Sequence, residues 1–330
     1  MPAYRIRLRL HGPLATPLHS GTLFGHLCWA KRLRESDAAL TAWLAALPES
    51  PLLLSDALPR DQLPRPLLQP GDRPEPAAGE SRQDFLQRLQ QDKKLRKTAF
   101  IPVADFLELR PSLSEAGLLA RLRQRAAESE QAAPPQSRRR SRPLSLTVRQ
   151  THNTIDRLTG TTPETGGLYF MDEEWRRDEA AELDVYAAGE IAGEELQALF
   201  DTVGEFGFGR DANLGRGRFT AHVEAADSRL FDHDGNRRLS LSHGVVTTNM
   251  AAPFYKLHTH YGKLGGLFAG GERSPFKHPL LLTRPGATFS PAFSRARRPR
   301  KSVFFLSLTA QPSPASPGVS LGVMSEPQAR

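Results

Sequence analysis

A chain of 330 residues, 39% of them hydrophobic, is long for one domain and comfortable for two, with enough apolar material for a real core; this excludes global disorder. Lysine and arginine number 44 against 36 acidic residues, a formal charge of +8 that points to a polyanionic partner, nucleic acid before an anionic membrane. A single cysteine, Cys28, excludes an intrachain disulfide framework and any multi-cysteine zinc site, and fits a reducing compartment.

At the N-terminus, Tyr4, Ile6, Leu8 and Leu10 alternate with Arg5, Arg7, Arg9 and His11, the period-two pattern of a half-buried strand with one apolar and one cationic face. The segment lacks the continuous apolar run of a signal peptide. No stretch approaches the roughly 20 apolar residues of a membrane span, so the expectation is a soluble cytoplasmic protein without membrane contact. Residues 22–47 carry leucines and Trp43 at helical spacing, with Ser20 or Thr22 as candidate cap and a break at residues 35–37. Phe24, Trp29 and Trp43 fall within this pattern and read as core. Residues 48–80 are proline-rich and irregular, and helical patterns follow over 82–97 and 112–130. Residues 132–143, with Arg138, Arg139, Arg140 and Arg142, form a breaker segment: a solvated loop, or a contact for phosphates. Strands are predicted over 144–155, at GGLYF (166–170) and at LDVYAAG (183–189), then a helix over 193–206 and a strand over 219–225.

This order is the β-α-β-β-α-β ferredoxin-like plan, which would leave Arg5, Arg7 and Arg9 on an open sheet face. The fold class is therefore α+β. The expected organisation is an N-terminal module over 1–227 with an insertion around 48–143, a smaller second module over 228–310, and a Pro/Ser-rich tail over 311–330. The second module shows strand-like stretches at LSLSHGVVTT, KHPLLLT and SVFFLSLT.

Two segments are rich in chemistry. Residues 151–162, THNTIDRLTGTT, hold an amide suited to base edges (Asn153), a guanidinium suited to phosphate or stacking (Arg157) and hydroxyls suited to sugars, among them Thr159. Alternatively, Asp156 pairs with its neighbours and the threonines cap turns. Residues 207–219, GFGRDANLGRGRF, combine four glycines with Arg210, Asn213, Arg216 and Arg218. Glycines let backbone amides approach an anion, and arginines supply forked donors. The spacing matches neither the mononucleotide nor the dinucleotide phosphate loop, and the loop runs from helix to strand, the reverse of both, which disfavours a nucleotide cofactor.

Four blocks in order, TPLHSGTLFGHLCWA (16–30), HNTIDRLTGTT (152–162), GFGRDANLGRGRF (207–219) and YKLHTHYGKLGG (255–266), resemble the RAMP superfamily, specifically subunit four of the type III-A CRISPR Csm effector complex, a Cas five-like protein. PFKHPLLLTRPGATF extends the likeness to residue 289. The resemblance implies two ferredoxin-like (RRM-like) modules and a non-catalytic subunit that holds the 5′ handle of the crRNA. It implies contact with the large polymerase-like Cas subunit on one side and a backbone RAMP subunit on the other, with nuclease activity in those partners. Carried onto this sequence, the RNA-facing residues are His19, Ser20 and His26; Asn153, Arg157 and Thr159; Arg210, Asn213, Gly215 and Arg216; and Lys256, His258 and Lys263. The chain departs from the family pattern at residues 291–330, where a closing glycine-containing strand is expected. It also departs over 48–143, which gives no position for the hairpin that inserts into the guide in this superfamily.

The alternative from another class is a RAMP-type endoribonuclease processing CRISPR repeat RNA. A histidine would be its general base, drawn from His19, His26, His152, His258 and His260. No cofactor is expected. Nor is a metal, because His258 and His260 without a nearby carboxylate supply only two ligands.

Overall fold

The computed structural model describes residues 1–71, 74–132, 144–231, 234–246, 250–263, 274–291 and 305–308. The arginines at 138–142, residues 292–304 and the Pro/Ser tail lie outside the described residues.

The architecture is α+β with antiparallel sheets. Strand β1 (Ala3–Leu10) is the centre of the main sheet, bonded on one side to β8 (Glu182–Ala188) and on the other to β9 (Phe219–Ala225). The far edge of β8 carries two short strands, β2 (Leu53–Leu54) and β3 (Leu58–Pro59). They behave as one edge strand broken at Ser55–Ala57, where Ser55 Oγ accepts the Tyr186 N–H (2.8 Å) in place of a ladder carbonyl. The break turns Asp56 inward, toward the start of the first helix.

Helices α1 (Ser20–Arg34), α2 (Asp37–Ala46) and α6 (Gly193–Phe206) accompany one face of the sheet. Ile6, Leu8, Leu23, Leu27, Val185, Leu196, Phe200, Phe208 and Phe219 fill the core between. Ser36 caps α2, its hydroxyl accepting the Ala39 N–H at 3.1 Å, as the break at 35–37 predicts. The expected cap at Ser20 or Thr22 is not made. His19 holds the N-cap position without a side-chain bond, and Asp56 Oδ1 accepts the Ser20 N–H at 2.8 Å instead. A distant carboxylate is the better cap because it complements the positive helix end. Phe24 and Trp43 pack against the core as expected, whereas Trp29 is half-buried beneath the Arg32 guanidinium.

The second face of the sheet is covered too. Strands β4 (Gln62–Pro64) and β5 (Phe100–Pro102) and helices α3 (Arg82–Leu95), α4 (Val103–Leu109) and α5 (Glu115–Ala132) make up the inserted region. Leu58, Leu63, Ile101, Phe106 and Leu118 form a second core with Tyr186 of β8 and with Leu239 and Leu241 further on. Acids anchor the insertion: the buried Asp105 accepts from Arg121 (2.8 Å) and Arg125, the buried Asp92 from Arg123 (2.7 Å), and the half-buried Glu115 from Arg65 (2.7 Å). The arginines of β1 accordingly do not line an open cationic face. Register sets an acid opposite each one: Arg5 bonds Glu224 (2.8 Å), Arg7 bonds the buried Asp184 (3.0 Å), and Arg9 bonds Glu182 (3.3 Å). Asp61 adds bonds to Arg5 and Arg7. Cross-strand pairing of this kind cancels the charge that alternation in the sequence advertises.

Strands β6 (Ser145–Asn153) and β7 (Leu168–Arg176) do not enter the main sheet. They form a separate nine-pair hairpin. After β9 come a short helix α7 (Ser228–Phe231) and a four-stranded sheet in the order β11 (Met250–Phe254), β14 (Thr288–Pro291), β10 (Arg237–Ser240), β15 (Phe305–Leu308). A further hairpin pairs β12 (Leu257–His260) with β13 (Leu280–Thr283). Among the described residues no helix is long and apolar enough to cross a membrane.

Candidate nucleic-acid interface and histidine cluster

The glycine-rich loop owes most of its glycines to packing. Gly207, Gly209 and Gly217 all have positive φ, and a Cβ on them would fall 2.6 Å from Arg216 O, 2.5 Å from Thr16 Cβ and 2.2 Å from Phe208 O. Only Gly215, also at positive φ, faces open space. The amides are already engaged. Gly209 N–H donates to His26 Nε2 (3.0 Å), Arg210 N–H to Thr16 Oγ1 (3.0 Å), Gly217 N–H to Pro13 O (2.9 Å) and Phe208 N–H to Gly217 O (2.9 Å). A cradle of free amides for phosphate is therefore not what these glycines build. They let the loop fold tightly onto the β1–α1 connection. What the loop offers outward is side chains: Asn213 and Arg218 are exposed, and Arg210 partly so.

Arg216 faces inward. Its Nε donates to Glu173 Oε1 at 2.6 Å, and Glu173 is 1% exposed, so the pair clamps the hairpin to the loop. Arg210 Nη2 donates to Asp172 O (3.2 Å), and Leu14 exchanges both backbone bonds with Glu174 (2.9 and 2.8 Å). Three contacts thus hold the base of the hairpin while its far half projects. From Val148, opposite Glu173, to Asn153 is five residues, about 17 Å of strand. Arg157 lies beyond that, at the exposed tip, so the arginines at 157 and 216 do not share one spot.

The tip is a compact turn. Asp156 Oδ1 accepts the Leu158 N–H (2.8 Å), Thr159 and Thr161 share a hydroxyl bond (2.9 Å), and Thr162 Oγ1 donates to Asn153 Oδ1 (3.0 Å). The hydroxyls therefore do cap turns. Asp156 serves the backbone, and Arg157 stays exposed. Along the hairpin, His152 stacks on Tyr169 (centroids 5.2 Å, planes 12° apart), and Leu168, Phe170 and Trp175 are exposed.

Elsewhere the expected residues fall into two groups. His26 is half-buried between α1 and the loop, its ring 4.7 Å from Phe208, and desolvation lowers its pKa below the usual histidine value. Because Nε2 accepts from Gly209, the ring must be neutral. Acidification protonates the unfolded chain first, so stability is complete above about pH 6.5 and falls as pH drops through and below it. The melting temperature of His26→Gln, which keeps an acceptor without a titration, is expected to vary less between pH 7 and 5 than that of the parent.

The second group gathers around Asp56. Its Oδ2 accepts from His243 Nδ1 at 2.5 Å while Oδ1 takes the Ser20 and His243 amides (2.8 and 3.3 Å). The His243 ring lies 4.1 Å from His19 and 4.8 Å from His258, centroid to centroid, and His19 is 5.5 Å from His258. His260 stands 6.4 Å from both His19 and His258. Burial pushes His19 down to about 4, opposed by Asp56 and reinforced by the neighbouring imidazoles; burial likewise lowers His258. The sequence reading isolates His258 and His260 as a pair. His243 has no motif of its own, and only the fold brings it and His19 alongside. Lys256 is exposed, and Lys263 sits over the Phe276 ring at 5.6 Å, so neither joins the hairpin group.

No family model matches the sequence, and no curated protein matches it. The likeness to solved structures is one of fold alone. A chain from the crystal structure of the Csm1–Csm4 cassette in complex with one ATP aligns at 14% identity, covering 95% of this chain and 100% of its own, with TM-score 0.51. A chain from the Csm3–Csm4 subcomplex in the type III-A CRISPR-Cas interference complex aligns at 12% identity over 93% of this chain and 99% of its own, with TM-score 0.51. Csm4 is the component common to these assemblies, and the fold of the present chain is Csm4-like.

Proposed function

We propose that this chain is a non-catalytic RNA-binding subunit of a cytoplasmic type III CRISPR effector complex. It holds the 5′ handle of the crRNA and joins the large polymerase-like subunit to the RAMP backbone. Support for a ferredoxin-like module over residues 1–227, with an insertion around 48–143, comes from the order β9-β1-β8 with the broken β2/β3 edge. The separate sheet of β10, β11, β14 and β15 supports a smaller second module over 228–310.

The observation that carries the reading is the projecting β6–β7 hairpin. A monomer gains nothing from keeping Leu168 and Phe170 in water along an arm tipped by Arg157, whereas an unpaired strand stacks a base on an exposed ring such as Phe170. Asn153, Thr159 and Arg157 then lie at the tip for base, sugar and phosphate. The hairpin is the arm for which residues 48–143 give no position.

Phe170→Ala is expected to weaken binding of handle-bearing RNA by about 10-fold or more, in line with roughly 1–3 kcal/mol per stacked base. Arg157→Ala should lower the slope of log affinity against log salt by about 1. Both are measured by titrating labelled RNA into the complex with its partner subunits. Unchanged affinity in both variants would remove the hairpin from the interface. Repeat RNA should emerge uncut from the same incubations; a defined cut lost in His152→Ala would instead establish the endoribonuclease.

A further inference from the structure

We infer that His19, His243 and His258 form a binding site for one divalent transition-metal ion of the zinc class, with Asp56 as the residue that positions His243. Their ligand nitrogens all lie within 4.8 Å of one another. A tetrahedral zinc with Zn–N bonds of about 2.0–2.1 Å sets its nitrogens roughly 3.4 Å apart. The remaining gap is within reach of small side-chain rotations, most easily at His258 on the β12–β13 hairpin.

Three features favour a metal over a phosphate. First, Asp56 Oδ2 accepts a hydrogen bond from the Nδ1–H of His243, leaving the Nε2 lone pair free to bind; a carboxylate holding the far nitrogen of an imidazole is the usual support of a histidine ligand. Asp56 is itself fixed, 4% exposed, by the Ser20 and His243 amides. Secondly, the three ring centroids lie 4.1–5.5 Å apart in tilted and edge-on pairs, too close together for a nucleotide group to sit between them. Thirdly, the atoms that converge are three imidazole nitrogens, a donor set suited to a transition-metal cation. Imidazole donors select zinc, copper, nickel or cobalt over magnesium and calcium. The ion would tie together the start of α1, the turn after β10 and the β12–β13 hairpin.

The inference does not depend on RNA binding, and it reassigns His19 and His258 from RNA contact to metal ligation. The test uses untagged full-length protein, stripped with a chelator and titrated with zinc against a chromophoric competitor, then with cobalt to read the ligand-field spectrum. One ion per chain is expected, with a tetrahedral-type cobalt spectrum and a rise in melting temperature on zinc addition. His258→Ala, on an exposed hairpin, should lower zinc affinity by on the order of 100-fold while the metal-free protein melts as before; Asp56→Asn should cost about 10–100-fold. His19→Asn supplies a second variant, since asparagine also caps a helix. No stoichiometric zinc, or full affinity retained in both His258→Ala and His19→Asn, overturns the site.

Discussion

Arg216→Ala is expected to destabilise the protein by about 3 kcal/mol, the usual result of deleting one partner of a buried ion pair. The loss comes less from the missing attraction than from what remains. Glu173 is 1% exposed, and its Oε2 has no hydrogen-bond partner among the described residues, so without Arg216 a carboxylate must sit unpaired in low dielectric or take up a proton. Arg210→Ala, in the same loop, should cost under about 1 kcal/mol, because its pairing with Asp211 at 3.5 Å is solvent-exposed. Replacing Arg216 and Glu173 together by leucine should recover much of the loss. Chemical denaturation of the four proteins measures all of this. A stable Arg216→Ala protein with weakened RNA affinity would return Arg216 to the RNA surface and deny it the clamp.

Gly217→Ala is expected to cost about 3 kcal/mol or more, and Gly215→Ala about 1. Both positions have positive φ (+65° and +83°), where an L side chain is strained by roughly 1–2 kcal/mol. They differ in their surroundings. A Cβ on Gly217 would meet Phe208 O at 2.2 Å and Phe208 N at 2.8 Å, backbone atoms of a residue whose N–H is bonded to Gly217 O, whereas one on Gly215 meets nothing within 4 Å. Overpacking against an immovable neighbour adds about 1–3 kcal/mol. Equal losses at the two sites, read from denaturation midpoints, would mean that conformation alone governs this loop.

Local regularity was legible in the sequence; long-range assembly was not. Alternation marks β1 and β9, helical spacing marks α1, α2 and α6, and Ser36 marks the break between the first two helices, because each signal is complete within a few residues. Strands β2 and β3 span two residues each inside a proline-rich stretch, too short for any period to register. The β6–β7 segments show strand character in the sequence, but nothing local distinguishes a free-standing hairpin from a pair within the main sheet. The arginines of β1 and the loop glycines carried the strongest local invitation to bind RNA. Their acids and carbonyl neighbours sit elsewhere in the chain, where sequence inspection does not pair them. Asp56 illustrates the same limit: an unremarked residue in an irregular stretch becomes helix cap and histidine support at once.

The central position of β1 governs the order in which the protein can fold. Its two partners lie at residues 182–188 and 219–225, so β1 waits until the chain has reached Glu182 before either of its edges is closed. Such remote pairing raises the loop-closure entropy met before any ladder forms, and slow maturation is the consequence. Fragments ending before residue 219 would leave β1 with a bare, arginine-studded margin and nothing in the chain to zip along it. Nascent protein of this kind is a natural client for chaperones.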